Sequence, residues 1–332
     1  KMNVLNLGYE GMFSGYNYVM ELRKKYDCNM PWILLFDPTA SCNLHCKGCW
    51  AAEYGKTLNL TYEEMDKLVT EGEELGIHWY MCTGGEPMCR KNDLLKLAAA
   101  HLFTNGTLID EEFCKEVQKV GNMAFFISIE GIGDATDDRR GKGVFDKVMH
   151  AMDLMQKYGL LYGTSICYTS QNYKAVTSDE FIDMLISHGV RFNWYFHYMP
   201  IGDGANVDLM LNAEQREYMI HRVREIRGLT GGKQIFCIDF QNDGEFVGGC
   251  IAGGGQPRVM LPGQPKPRGI TDDIRRKRAK GLFDEDLRAT NRLSHHNQSI
   301  KTLYEEYIGA PNGEKAHQLL HTHYRPRAAY KR

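Results

Sequence analysis

The segment WILLFDPTASCNLHCKGCW, residues 32–50, joins a short apolar run to three closely spaced cysteines. The run Trp32–Asp37 has the length and the apolar content of a buried strand. The three cysteines that follow are Cys42, Cys46 and Cys49. Three soft thiolate ligands at this spacing can wrap one corner of an iron–sulfur cube and leave one metal position open for chemistry. A zinc site that borrows His45 or a distant cysteine as its fourth ligand is the alternative at this point.

Strand-like runs and helical patterns alternate after this segment. Thr61-Tyr-Glu-Glu64 is a capping box and predicts the start of a helix. The six predicted strands are Trp32–Asp37, His78–Cys82, a run ending at Leu102–Gly106, Ala124–Ile129, Leu161–Tyr168 and Phe192–Tyr198. This alternation predicts an α/β fold, an incomplete (β/α)6 TIM-like barrel. At one junction, a predicted helix over Asp93–His101 runs directly into the third strand, so either the helix stops early or residues have been lost there.

A second motif, Gly84-Gly85-Glu86-Pro87, follows the second predicted strand. In a parallel barrel the active site forms at the carboxyl ends of the strands, so this loop and the cysteine loop should open onto the same face. Paired glycines let the backbone approach a ligand closely, and a carboxylate beside them suits an ammonium group.

With these two motifs the sequence resembles the radical S-adenosylmethionine (radical SAM) enzymes, from about residue 32 to about residue 240. The resemblance implies that the three cysteines ligate a 4Fe–4S cluster and that the open iron binds the methionine end of S-adenosylmethionine (SAM). It implies that Gly84, Gly85, Glu86 and Pro87 bind the ammonium group of SAM. Ser128 and Glu130 fall where the family carries polar residues that contact the ribose. The alternative for these two residues is a buried serine and a helix-capping glutamate.

The resemblance also implies reductive cleavage of SAM to a 5′-deoxyadenosyl radical that abstracts hydrogen from a substrate. We expect a one-electron donor such as ferredoxin or flavodoxin, and an unidentified substrate for which peptides and proteins are candidates. No catalytic residue is identified. One departure is Gly48, where many members have an aromatic residue; Trp50 is expected either to shield the cluster instead or to be simply packed.

Composition changes near residue 250. Residues 251–332 carry 16 of the 40 Lys and Arg residues but only 8 of the 42 Asp and Glu residues, and all ten cysteines lie at or before Cys250. We therefore expect an N-terminal segment (1–31), a radical SAM barrel (32–240) and a basic, mostly helical C-terminal extension (241–332).

The extension resembles the C-terminal end of iron-only hydrogenases over residues 249–324. The motifs that carry this likeness are Gly253-Gly-Gly-Gln-Pro257, Asn291-Arg-Leu-Ser-His-His296 and Lys315-Ala-His-Gln-Leu-Leu-His-Thr-His-Tyr324. Cys250 would match the last cysteine of the hydrogenase active-site cluster, but its partner cysteines are missing, so the likeness implies no hydrogen chemistry. A non-catalytic iron–sulfur electron-transfer protein, or a hybrid with a hydrogenase-derived interaction segment, is the alternative function.

The remaining composition is that of an ordinary globular protein, with 43% hydrophobic and 25% charged residues and a net charge of −2. These values exclude disordered, collagen-like and coiled-coil classes. Cysteines without an export signal predict a reducing, cytoplasmic setting, and we expect neither a nucleic acid nor a membrane as partner. Cys82 and Cys167 are expected in the core. Tyr195-Phe-His-Tyr198 should turn two of its four side chains into the barrel lumen, His197 among them as a packed residue or a substrate contact.

Overall fold

The computed structural model describes residues 16–26, 33–49, 51, 59–98, 101–200, 205–228 and 232–243. The expectations for Trp50, Cys250 and the C-terminal extension after residue 243 lie outside the described residues. No helix in the described part of the chain combines the length and the apolar character needed to cross a bilayer.

Seven parallel strands form one sheet in which the strand order follows the chain order. They are β1 (Ile33–Phe36), β2 (Trp79–Cys82), β3 (His101–Thr104), β4 (Ala124–Ser128), β5 (Leu161–Tyr168), β6 (Phe192–His197) and β7 (Phe236–Asp239). Sequential parallel order with intervening helices is the arrangement of an open α/β barrel. The predicted fold class is therefore confirmed, with a seventh strand that the sequence had not predicted.

Helices connect the strands. They are α1 (Tyr16–Tyr26), α2 (Tyr62–Glu74), α3 (Lys91–Leu97), α4 (Glu111–Val120), α5 (Asp134–Arg140), α6 (Val144–Lys157), α7 (Asp179–Ser187), α8 (Ala213–Ile226) and α9 (Phe240–Asp243). The predicted capping box is present: Thr61 accepts a hydrogen bond from the backbone of Glu64, and the Glu64 side chain accepts one from the backbone of Thr61. Such caps satisfy backbone donors that a helix leaves unpaired at its first turn.

The crowded junction between α3 and β3 is resolved by an early helix end. Helix α3 stops at Leu97, and Ala98 adopts the left-handed conformation with φ +52°. The Asn122 side chain donates to the Ala98 carbonyl at 3.0 Å. Because the helix ends before β3 begins, no lost residues are needed to explain the junction.

The two faces of the sheet differ. The face toward the helices is closed: Tyr80, Phe125 and Tyr195 are at most 1% exposed. The opposite face, which lines the open lumen and is called the inner face below, carries partly exposed side chains such as Phe103 and Trp194.

Strand register assigns β6 residues to these faces. Ser165 pairs with Trp194, and alternation then places Phe196 on the inner face and His197 on the helix side. The expectation that His197 faces the lumen is therefore wrong. It is 8% exposed, and burial lowers its pKa to about 3.

Candidate active site

The three motif cysteines lie in one loop that follows β1, and all three are partly buried. Polar groups point at two of the sulfurs. The backbone N–H of Leu44 donates to Cys42 Sγ at 3.4 Å, and Asn105 Nδ2 lies 4.0 Å from the same sulfur. Arg140 Nη1 lies 4.0 Å from Cys46 Sγ. These donors and the cation stabilise negative charge on the two sulfurs.

Electrostatic interactions couple Cys49 to each of the other two motif cysteines. Burial raises the pKa of Cys42 and of Cys46, and the charge of Cys49 raises both further. The Arg140 guanidinium opposes this for Cys46. As thiolates, Cys42 and Cys46 would each be repelled by Cys49, and the positive charge of an iron–sulfur core bound to the three sulfurs would offset that repulsion.

The donor set fits a cluster better than a single ion. Within the described residues, no group of three His, Cys, Asp or Glu side chains is placed to hold one metal ion. His45, the zinc ligand of the alternative interpretation, is exposed. In a 4Fe–4S cluster each thiolate binds a different iron, so the sulfurs need not converge on one point.

The glycine loop packs directly against the cysteine loop. The backbone N–H of Gly85 donates to Thr39 O at 2.9 Å, and that of Glu86 donates to Ser41 O at 2.8 Å. A side chain on Gly85 would start 2.6 Å from Ala40 O and closer still to Ser41 O. Glycine is required because no Cβ fits between these two backbones. Among the described residues, none donates a hydrogen bond to the carbonyl oxygens of Gly84 or Gly85, which leaves acceptors for a ligand.

Glu86 lies at the predicted strand end, but its carboxylate is directed into the protein. It is 1% exposed. It accepts hydrogen bonds from Met88 N at 3.0 Å, Thr104 Oγ1 at 2.6 Å and Asn105 N at 2.7 Å. These contacts join the glycine loop to the end of β3, and Pro87 begins a short 3-10 turn beside it. The contact set differs from the ammonium contact that the resemblance implies: the carboxylate braces two loops.

The carboxylate of Glu130, like that of Glu86, is directed into the protein. Its side chain is fully buried and accepts from Arg139 Nη1 at 2.7 Å, from Arg140 Nη2 at 2.6 Å and from Arg140 Nε. The two guanidinium groups hold the pKa of Glu130 below its usual range despite the burial that opposes them. The implied ribose contact would compete with both arginines. Ser128, in contrast, is half-buried on the inner face opposite Ser165.

Sequence reasoning did not single out Arg139 and Arg140. Arg139 also clamps the cysteine loop: its carbonyl accepts from Lys47 N at 2.9 Å, and its Nε donates to Lys47 O at 3.3 Å. The sequence does contain a signal for them: two adjacent arginines stand nine and ten residues after Glu130, close enough to pair with its carboxylate. Cys167 was expected in the core, but it is partly exposed on the inner face.

The unusual Gly48 is explained by a ring from elsewhere in the chain. Gly48 has φ +64°, and a Cβ there would lie 2.7 Å from Tyr198 Cε2. Tyr198 follows β6 and is 4% exposed. An aromatic side chain therefore contacts the cysteine loop at this point, although it is contributed by a residue 150 positions away.

Comparison with known proteins identifies the segment that holds both loops. Residues 36–192 match the family model of the radical SAM superfamily. These residues form a radical SAM domain. The superfamily uses a 4Fe–4S cluster and SAM. A second match, to the iron hydrogenase small subunit, covers residues 272–327, outside the described residues.

Two relatives of different kinds each match part of this chain. An Fe-coproporphyrin III synthase of Methanosarcina barkeri is 28% identical over 231 residues, covering 65% of this chain and 57% of that protein. Iron hydrogenase 1 of Clostridium pasteurianum is 37% identical over 99 residues, covering 30% of this chain and 16% of that protein. The chain thus spans just over half of the first relative and a small part of the second.

Among solved structures, the fold of the radical SAM domain is similar to that of SuiB from Streptococcus suis bound to S-adenosylmethionine. The TM-score is 0.58 at 14% identity, covering 69% of this chain and 56% of SuiB. At this identity the likeness concerns the fold alone.

Proposed function

We propose that this protein is a radical SAM enzyme whose cysteine loop holds a 4Fe–4S cluster through Cys42, Cys46 and Cys49. When bound, the cluster and SAM would supply the chemistry: one electron from an external one-electron donor, passed through the cluster, would cleave SAM into methionine and a 5′-deoxyadenosyl radical that takes a hydrogen atom from the substrate. The observation that carries the proposal is the packing of the glycine loop onto the cysteine loop at the carboxyl end of the sheet.

Polar groups of the protein surround the sulfurs that would bind the cluster. Leu44 N–H, Asn105 and Arg140 surround the sulfurs and stabilise negative charge on them. Arg140 in turn is neutralised by the buried Glu130, so the guanidinium is kept in place without leaving an isolated buried charge. These contacts would stabilise the negative charge of the cysteine sulfurs on a bound cluster, which an apolar pocket without donors would not do.

For SAM, the geometry favours the backbone of the glycine loop over the Glu86 carboxylate. The carbonyl oxygens of Gly84 and Gly85 are available as acceptors for the ammonium group, whereas the carboxylate already has three donors. Glu86 then acts by holding the loop, and Ser128 on the inner face is a candidate contact for the ribose.

For the substrate we favour a tetrapyrrole. The similarity to Fe-coproporphyrin III synthase extends over 231 residues, which supports a tetrapyrrole substrate. A second candidate function concerns the C-terminal segment, whose match to the iron hydrogenase small subunit supports a hydrogenase-derived interaction segment attached to an electron-transfer barrel.

The test compares reconstituted wild-type protein with a triple alanine variant of the three motif cysteines. Wild type should show iron–sulfur absorbance, an electron paramagnetic resonance spectrum that changes when SAM is added to the reduced protein, and release of 5′-deoxyadenosine. The triple variant should lose all three signals. Cys89→Ala, which removes an exposed thiol near Cys42, is the matched control and should keep them.

Two results would contradict the proposal. A stoichiometric cluster in the triple variant would remove the ligand assignment. A wild-type cluster whose spectrum ignores SAM, with no 5′-deoxyadenosine formed, would favour the electron-transfer alternative.

A further inference from the structure

The inner face of the sheet carries a group of aromatic rings in mutual contact, called the aromatic wall here. Its members are Phe103 of β3, Phe126 of β4, Phe192, Trp194 and Phe196 of β6, and Phe240 of α9. Ring centroids of neighbours lie 4.7–6.1 Å apart. Trp194 lies at the centre and contacts the other five rings.

A glycine makes the wall continuous. Strand β5 lies between β4 and β6, and its residue opposite Phe126 is Gly163. A Cβ on Gly163 would lie 2.6 Å from Phe192 Cδ1. Because β5 has no side chain at this position, the rings of Phe126 and Phe192 meet across it with centroids 5.1 Å apart. The result is an apolar surface that spans four strands, β3 to β6.

The wall is not a closed core. Phe103, Trp194 and Phe196 are partly exposed, whereas the aromatic side chains on the helix side of the same strands are buried. Trp194 Nε1 is itself shielded from solvent and has no hydrogen-bond partner among the described residues. A buried donor without an acceptor is costly, so ligand binding that shifts the surrounding rings and brings an acceptor to this N–H would be favourable.

The wall leads to the cofactor end of the lumen. Ser128 lies two residues beyond Phe126 on the same face, and Ser165 pairs with Trp194 in register. A molecule lying on the wall would therefore reach the mouth where the cysteine loop lies.

The chemistry of the face defines its ligand. Across β3 to β7, the inner positions carry no Asp, Glu, Lys or Arg. An extended peptide would bring its backbone N–H and C=O groups against this surface without partners, which is unfavourable. A flat conjugated ring has two apolar faces that stack on aromatic side chains and can carry its polar groups at the edge.

We infer that the aromatic wall is the surface on which the substrate's flat conjugated ring stacks, with Trp194 Nε1–H donating to an acceptor at the ring edge. The inference rests on the proposed function, because it assigns the lumen to substrate. Trp194 then contributes to substrate affinity in two separable ways, through contact with its ring and through the hydrogen bond from its N–H.

The test titrates free-base coproporphyrin into the full, reconstituted chain and follows the porphyrin absorbance. This probe has no metal to be ligated, so it reports stacking and hydrogen bonding alone. Trp194→Ala should weaken binding roughly 10- to 100-fold, since stacking on an aromatic side chain is worth about 1–3 kcal/mol. Trp194→Phe keeps a ring and loses only the N–H, so it should weaken binding roughly 2- to 10-fold. The matched control is Tyr16→Ala, which removes an exposed ring from α1 and should leave affinity unchanged.

The outcomes are distinct. The inference is supported if porphyrin affinity falls most in Trp194→Ala, less in Trp194→Phe and not at all in the Tyr16→Ala control. If Trp194→Ala does not fold, the comparison of Trp194→Phe with the control decides the question. No binding to wild type, or equal binding by all variants, overturns it. Because porphyrin binding is measured without SAM cleavage, the two proposals can fail separately: 5′-deoxyadenosine formation without porphyrin binding refutes the wall alone, and tight wall-dependent binding without cleavage refutes the radical chemistry alone.

Discussion

The cluster end of the domain depends on one buried carboxylate, and Glu130→Gln tests that dependence. Glutamine keeps the size of the side chain but removes the charge that two guanidinium groups share. The Glu130 side chain is 0% exposed, and the side chains of Arg139 and Arg140 are 17% and 12% exposed. The variant therefore leaves two cations largely buried with no counter-charge.

The expected cost follows from this burial. Removing one partner of a buried ion pair costs about 3–5 kcal/mol, and the residual exposure of the arginines places the expectation near the lower end, about 3 kcal/mol. For a domain of this size that corresponds to a fall in Tm of roughly 6–12 °C. Because Arg139 also holds the backbone of Lys47, the variant should take up less iron on reconstitution.

The assay is urea unfolding of the protein before reconstitution, followed by circular dichroism, with iron per chain measured separately afterwards. The control is Glu111→Gln, which also removes a carboxylate paired with a cation, Lys157, but at an exposed site. Exposed pairs contribute little, so this variant should change stability only slightly. If the two variants lower the unfolding free energy by the same amount, the buried pair does not organise this region and the argument is wrong.

Two further predictions concern packing and pH. Gly85→Ala should lower the iron bound per chain after reconstitution, because its Cβ would overlap the backbone of the cysteine loop; unchanged iron content would contradict this. Burial raises the pKa of Asp239 from 3.8 to about 6, so folding favours the protonated acid, and about 3 kcal/mol of stability that is fully present below pH 3.8 should be lost as the pH rises through 6. Asp239→Asn should lack this loss when the unfolding free energies at pH 4 and pH 7 are compared, and equal slopes for the two proteins would contradict the assignment.

Much of the fold could be predicted because local signals and tertiary structure agree. The strand Leu161–Tyr168 and the helix Val144–Lys157 have the predicted bounds, and Thr61 caps its helix as expected. Strand β7 (Phe236–Asp239) is no shorter than β1, β2 and β3, but α9 begins at the next residue, so no loop marks its end as one does for those three strands. So short a strand is stabilised by pairing with β6, which is a tertiary interaction that no local pattern reports.

The candidate site was predicted in position but not in orientation. The motifs place Glu86 and Glu130 at the ends of β2 and β4, and both are there. What decides the direction of each carboxylate is the set of donors that the fold brings to it: Thr104 and Asn105 from the end of β3 for Glu86, and the α5 arginines for Glu130. Donors from neighbouring strands and helices cannot be recognised from the spacing of a motif.

The aromatic wall shows why a proposed stacking surface is harder to predict from sequence than a cofactor motif. In a parallel sheet both faces are apolar, so alternation along β6 divides Trp194 from Tyr195 without showing which of them faces the lumen. The expectation for His197 failed on this point. The fold settles it: Trp194 is partly exposed whereas Tyr195 is buried, and Ser165, which pairs with Trp194, lies on the same face as Trp194. Cofactor residues carry charge or sulfur and are visible in sequence, whereas a stacking surface consists of the same residue types as the core. It is distinguished by partial exposure and by one unpaired N–H, and both properties exist only in the folded chain.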